Sequence, residues 1–78
     1  MRDVPRAIEF WAGAADLGHG PSAAAIGVVY DRGDQGVEAN VAKAATWYAR
    51  AGILGDRAAQ ERLVELRSYV ATWKMSFL

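Results

Sequence analysis

The sequence predicts an all-α protein built from about four helices joined by short loops. Three observations lead there. Apolar residues recur at steps of three and four through most of the chain, no alternating strand pattern competes, and two stretches match each other 37 residues apart.

The stretch Asn40 to Gly55 carries the pattern most fully. Asn40 can accept from a first-turn backbone N–H, and Gly55 can adopt the left-handed conformation that ends a helix. Between them Ala44, Trp47, Ala51 and Leu54 fall on one face, with small residues alternating with large ones. Setting Arg6-Ala7 on Lys43-Ala44 places Phe10 on Trp47, Trp11 on Tyr48, Ala14 on Ala51, Leu17 on Leu54 and Gly18 on Gly55. A first helix over 4–17 follows, capped by Asp3, with Pro5 tolerated in its first turn.

After Gly18 a tight connection leads to Pro21, which starts a second helix over 21–31 with Ala23, Ile26 and Tyr30 at i, i+3 and i+7. Gly27 inside it costs roughly 1 kcal/mol of helix propensity, so a packing reason is expected. Residues 32–39, with Gly33 and Gly36, form a loop to the cap at Asn40. The third helix spans 40–54. Asp56 caps a fourth over 56–74, where Leu63, Leu66, Val70, Trp73 and Phe77 make one apolar stripe and Arg57, Glu61, Arg62, Glu65 and Arg67 take the other faces.

Composition narrows the function. Seventy-eight residues make one domain, near the size at which a single core is only marginally stabilising. Without cysteine there is no disulfide or thiolate site, and one histidine excludes the usual zinc arrangements. Nine basic and nine acidic side chains are interspersed, which leaves no footprint for nucleic acid or an anionic membrane. The first residues lead into no apolar signal core, and the longest uncharged run, Gly20 to Tyr30, is far short of the roughly 20 residues that span a bilayer. The expectation is a soluble chain, with a preference for an intracellular setting.

The ordered residues Gly18-His19, Ile26-Gly27, Tyr30, Gly33, Gly36-Val37, Asn40, Lys43-Ala44, Trp47-Tyr48, Ala51-Gly52 and Gly55 resemble the Sel-one-like repeat, a relative of the tetratricopeptide repeat. The resemblance covers nearly residues 3 to 66. It implies a right-handed α-solenoid of antiparallel helix pairs: a half repeat over 3–18, a full repeat over 19–55, and a terminal half repeat with an aromatic tail over 56–78. Asp34 and Gln35 lengthen the loop by one residue, Ser22 replaces a small alanine, and Asp56 replaces a second histidine. Val64 and Arg67 stand where Gly27 and Tyr30 stood one repeat earlier, so the last helix reads as a capping element. Relatives of this type are mainly adaptors and scaffolds, and the repeat itself is not catalytic.

Candidate sites are weighed against plainer readings. His19 has no serine or carboxylate placed by spacing to make it a general base, and the resemblance puts it at a helix junction. Asp31, Asp34 and Glu38 hint at calcium, yet counting from Asp31 puts Gly33 third and Ala42 twelfth, which is no EF-hand. Arg32-Gly33-Asp34 is an integrin-type tripeptide by coincidence. Gly18-x-Gly20 lacks the strand and following residues of a nucleotide loop. Trp11, Trp47, Tyr48 and Tyr30 read as core.

The C-terminal residues Tyr69, Val70, Trp73, Met75, Phe77 and Leu78 lie past the last matched position and are candidates for a protein interface, since large apolar patches and aromatic anchors mark such surfaces. The first half repeat offers a second contact face. The expected function is a non-catalytic protein–protein interaction module, with the concave face of the helices at 21–31 and 56–66 receiving a peptide or helix. The alternative is a small structural subunit embedded in a large multiprotein complex. Its partner is another protein or an oligomer partner; no cofactor, metal, small-molecule substrate, nucleic acid or membrane insertion is expected.

Overall fold

The structure, a computed structural model, describes residues 3–75, with side chains described through residue 68. Four helices follow one another: α1 (Val4–Asp16), α2 (Gly20–Arg32), α3 (Val41–Ile53) and α4 (Arg57–Met75). Among the described residues there is no strand. Each helix falls within a residue of its expected bounds.

The ends are set by side-chain chemistry. Asp3 Oδ1 accepts from the Arg6 N–H at 3.1 Å, Asn40 Oδ1 from Lys43 at 3.0 Å, and Asp56 Oδ1 from Ala59 at 2.8 Å. Each of these bonds satisfies a first-turn donor that has no partner inside its helix. α1 and α3 end in the same hydrogen-bonded motif. The His19 N–H returns to the Ala14 carbonyl and the Gly18 N–H to Ala15; 37 residues later, Asp56 returns to Ala51 and Gly55 to Gly52. Gly18 and Gly55 sit at φ +93° and +96°, a conformation that costs an L side chain about 1–2 kcal/mol. The same helix-end hydrogen bonds therefore recur at the 37-residue offset.

Residues 33–40 form a compact turn. Asp34 and Val37 exchange both backbone bonds, at 3.0 and 2.9 Å, and the Asn40 N–H reaches the Tyr30 carbonyl at 2.7 Å. The loop thus fastens the start of α3 to the end of α2.

Ascending α2 from Gly20 to Gly27 to Tyr30, the neighbours on α3 descend from Leu54 to Tyr48 to Lys43. The two helices run antiparallel. Their contact needs glycine: a Cβ on Gly27 would lie 2.7 Å from Tyr48 Cδ1 and 2.8 Å from Cε1. That is the packing reason expected for Gly27. α4 lies on the other side of α3, where Gln60 Nε2 donates to the Gly52 carbonyl at 2.8 Å.

The core is mostly alanine. Ala15, Ala23, Ala44, Tyr48, Ala51, Ala59 and Leu66 form one buried cluster, with Ala24, Tyr30, Trp47 and Leu63 packed partly against it. Small side chains bury little area each, so the single large aromatic, 4% exposed, contributes disproportionately to the hydrophobic stabilisation. Here the expectation is corrected. Tyr48, one residue on from Trp47, is the residue α3 points into the core, while Trp47 is half-buried beneath the Arg50 guanidinium, 5.1 Å from its ring centre. Trp11 and Tyr30 are likewise only partly buried. Leu54, expected inward, is 38% exposed.

Of the expected interface residues, Tyr69, Val70, Trp73 and Met75 fall on α4 at positions beyond the last described side chain. Phe77 and Leu78 lie outside the described residues.

Candidate interaction groove

α2 and α4 form the walls of a groove of about 420 Å³, lined by Ala24, Val28, Asp31, Arg32, Tyr48, Ala58, Ala59, Arg62 and Glu65. This is the face from which the sequence predicted recognition. Small residues make its apolar surface, with Val28 39% exposed, and charged residues stand along one end.

The groove is held by a cluster that sequence reasoning missed. Arg62 donates from Nε to Asp31 Oδ2 at 2.7 Å and from Nη2 to Oδ1 at 3.1 Å. This is a two-pronged match of guanidinium to carboxylate. The Tyr48 hydroxyl donates to the same Oδ2 at 2.9 Å. Arg62 Nη1 also donates to Glu65 at 2.9 Å. The Asp31 side chain is only 8% exposed, so without these donors its charge would be strongly disfavoured. One carboxylate thus ties together α2, α3 and α4.

The electrostatics follow. The Arg62 hydrogen bonds hold the Asp31 carboxyl below its ordinary range, outweighing the desolvation that pushes it up. Burial, followed by the hydrogen bond to Asp31, pushes the Tyr48 phenol up to about 12. Arg62 is driven further toward its charged form, chiefly by hydrogen bonding to Asp31. At neutral pH Asp31 and Arg62 are therefore a charged pair, and the neutral Tyr48 hydroxyl donates to it.

Two assignments are corrected here. Arg62 was expected among the solvent-facing charges of α4; it turns inward to Asp31. Asp31, grouped with Asp34 and Glu38 as a hint of calcium, sits in the last turn of α2 and instead faces Tyr48 and Arg62. The helical period carried a signal for both, since Ala24, Gly27 and Asp31 fall at i, i+3 and i+7, and Ala59, Arg62 and Leu66 at i, i+3 and i+7. Among the described residues, no group of three His, Cys, Asp or Glu side chains is placed to hold a metal ion.

His19 caps α2 by position, and its Nδ1 lies 2.5 Å from Ser22 Oγ. A serine does therefore meet this histidine, contrary to the reading from spacing. Ser22 is 6% exposed, and the contact stays within one turn at the helix start. Arg32, Gly33 and Asp34 span the helix end and the turn, where Gly33 takes φ +76°. No helix among the described residues is long and apolar enough to cross a membrane.

Compared with family models, curated proteins and solved structures, the chain shows no match.

Proposed function

We propose that this chain is a non-catalytic protein–protein interaction module, a short right-handed α-solenoid of the Sel-one-like kind that receives a peptide or helix between α2 and α4. The groove itself supports this reading most directly. Its apolar surface, from Ala24, Val28, Ala58 and Ala59, is bordered by Arg32, Arg62 and Glu65, the arrangement of an apolar patch with a polar rim that suits a peptide. Asp31 and Tyr48 make its walls rigid, which reduces the ordering cost of binding. The repeat units at 3–18, 19–55 and 56–78 belong to this reading, as does the tail from Tyr69 to Leu78 as a second anchor.

Selection from a displayed peptide library tests it. Peptides enriched on the chain are expected to lose binding to a Val28→Glu, Ala58→Glu double variant whose circular dichroism is unchanged. Equal binding to both proteins, or no enriched peptide, removes the groove as the recognition face.

A second reading, a small structural subunit of a large complex, is favoured by Phe10, Leu17, Ile53 and Val64, which are 76%, 91%, 86% and 62% exposed. Such a subunit aggregates without its neighbours, whereas an adaptor sediments as a defined monomer or dimer.

A further inference from the structure

The α2–α4 groove has two unlike ends. Ala24, Val28 and Arg32 follow one another at four-residue steps along α2, and Ala58 and Arg62 do so along α4; all five line the groove. Asp31, beside Arg32 in the chain, is bonded to Arg62, so the charged residues of both walls lie at the same end. At the other end the walls are Ala24, Ala58 and Ala59, whose small side chains leave room for a large one. From Val28 to Arg32 is one helical turn, about 6 Å along the axis.

The charges at that end are not equally occupied. Arg62 donates from Nε and Nη2 to Asp31 and from Nη1 to Glu65. Asp31 also takes the Tyr48 hydroxyl, and Asp34, just past the helix end, accepts from the Gln35 N–H. Arg32 is the exception. It is exposed at the rim, and among the described residues its side chain makes no hydrogen bond or ion pair. It lies near enough to Asp31 to favour that carboxylate's charge, but the bonds to Asp31 come from Arg62 and Tyr48. Its place in the last turn of α2 suits a cation, and that field leaves its N–H donors unused. A planar guanidinium with open donors, one turn from an apolar patch, matches a carboxylate.

We propose that the peptide received in this groove is acidic as well as apolar. A bulky apolar side chain lies over Ala24, Val28 and Ala58, and an aspartate or glutamate about 6 Å further along pairs with Arg32. In an extended peptide the two residues stand about two positions apart, and in a helical one about four. A basic residue in the acid's place would face the Arg32 guanidinium, while Glu65 already accepts from Arg62. Arg62 does not serve in place of Arg32, because its guanidinium is held by Asp31 where α2, α3 and α4 meet. This charge preference rests on the groove being the recognition face, and adds to that reading the chemistry of the partner.

The test compares acids with amides. An array of synthetic peptides bearing leucine or phenylalanine with aspartate or glutamate is probed with the full chain. Each peptide is paired with a copy in which asparagine or glutamine replaces the acid, and the tightest pairs are measured by fluorescence anisotropy. The acidic member is expected to bind about tenfold more tightly, by a margin that shrinks as salt is added. Arg32→Gln should erase the margin and Arg32→Lys should keep part of it. Peptides that bind equally as acids and amides, yet are lost in the Val28→Glu, Ala58→Glu variant, overturn the charge preference and leave the groove reading standing. An acid preference unchanged in Arg32→Gln overturns it likewise. If no peptide binds, or the groove variant binds as well, the groove reading fails and the charge preference with it. Self-association of the chain that Arg32→Gln abolishes also overturns it, by assigning the cation to a second copy. Should Arg32→Gln lose helix, the acid–amide comparison on the unsubstituted chain still decides.

Discussion

The Tyr48 ring lies directly on the backbone of Gly27, where a Cβ would come within 2.7 Å of the ring. This contact sets the distance between α2 and α3 and the rotation of α3 about its axis. It also carries the Tyr48 hydroxyl to Asp31 and thence to Arg62.

Replacing Gly27 by alanine sets two effects against each other. Helix propensity improves by roughly 1 kcal/mol. Against it, the added methyl meets a rigid ring over three atoms, all within 3.1 Å, and overpacking of this kind costs about 1–3 kcal/mol. The clash is expected to prevail, with a net loss of about 1 kcal/mol in denaturant unfolding. Gly27→Val should cost more, and unchanged stability in both would show that α3 slides freely.

Arg62→Ala removes both guanidinium donors from the Asp31 carboxylate, which is 8% exposed in the intact chain, and leaves the Tyr48 hydroxyl as its remaining donor of the cluster. Removing one member of a buried ion pair costs several kcal/mol, but Arg62 is itself 41% exposed, so a loss of about 1–2 kcal/mol is expected. Asp31→Asn combined with Arg62→Ala should recover part of it, because the stranded charge is gone. A double-mutant cycle on unfolding free energies reads this coupling, and strict additivity would contradict it.

The cluster predicts opposite limbs in stability against pH. Asp31 has its folded pKa depressed, so it stabilises above the ordinary aspartate range and the contribution disappears as pH falls through the folded value. Tyr48 has its folded pKa raised to about 12, so its contribution is intact below the ordinary tyrosine range and is lost as pH rises toward that value. Asp31→Asn should flatten the acid limb. Tyr48→Phe should remove the late component of tyrosinate absorbance at alkaline pH; its persistence would place that titration elsewhere.

Local features were legible because they are written within a few residues. The caps at Asp3, Asn40 and Asp56 each bond three positions ahead, and Gly18 and Gly55 stop their helices with a conformation glycine favours. Side-chain type alone decides such short-range chemistry. The need for a packing partner at Gly27 was also readable, since a helix keeps an interior glycine at a cost.

The sequence by itself determined the four helices, their order and their ends. Only the tertiary structure decided which face of α3 turns inward. Alanines at 42, 44, 45, 49 and 51 make several faces of that helix nearly equivalent, so periodicity favours Trp47 and Tyr48 alike. The gap over Gly27 breaks the tie for Tyr48. Only the fold, too, brought Asp31 to Arg62 across 31 positions. Such a pairing follows from how three helices pack, and no local rule of spacing contains it.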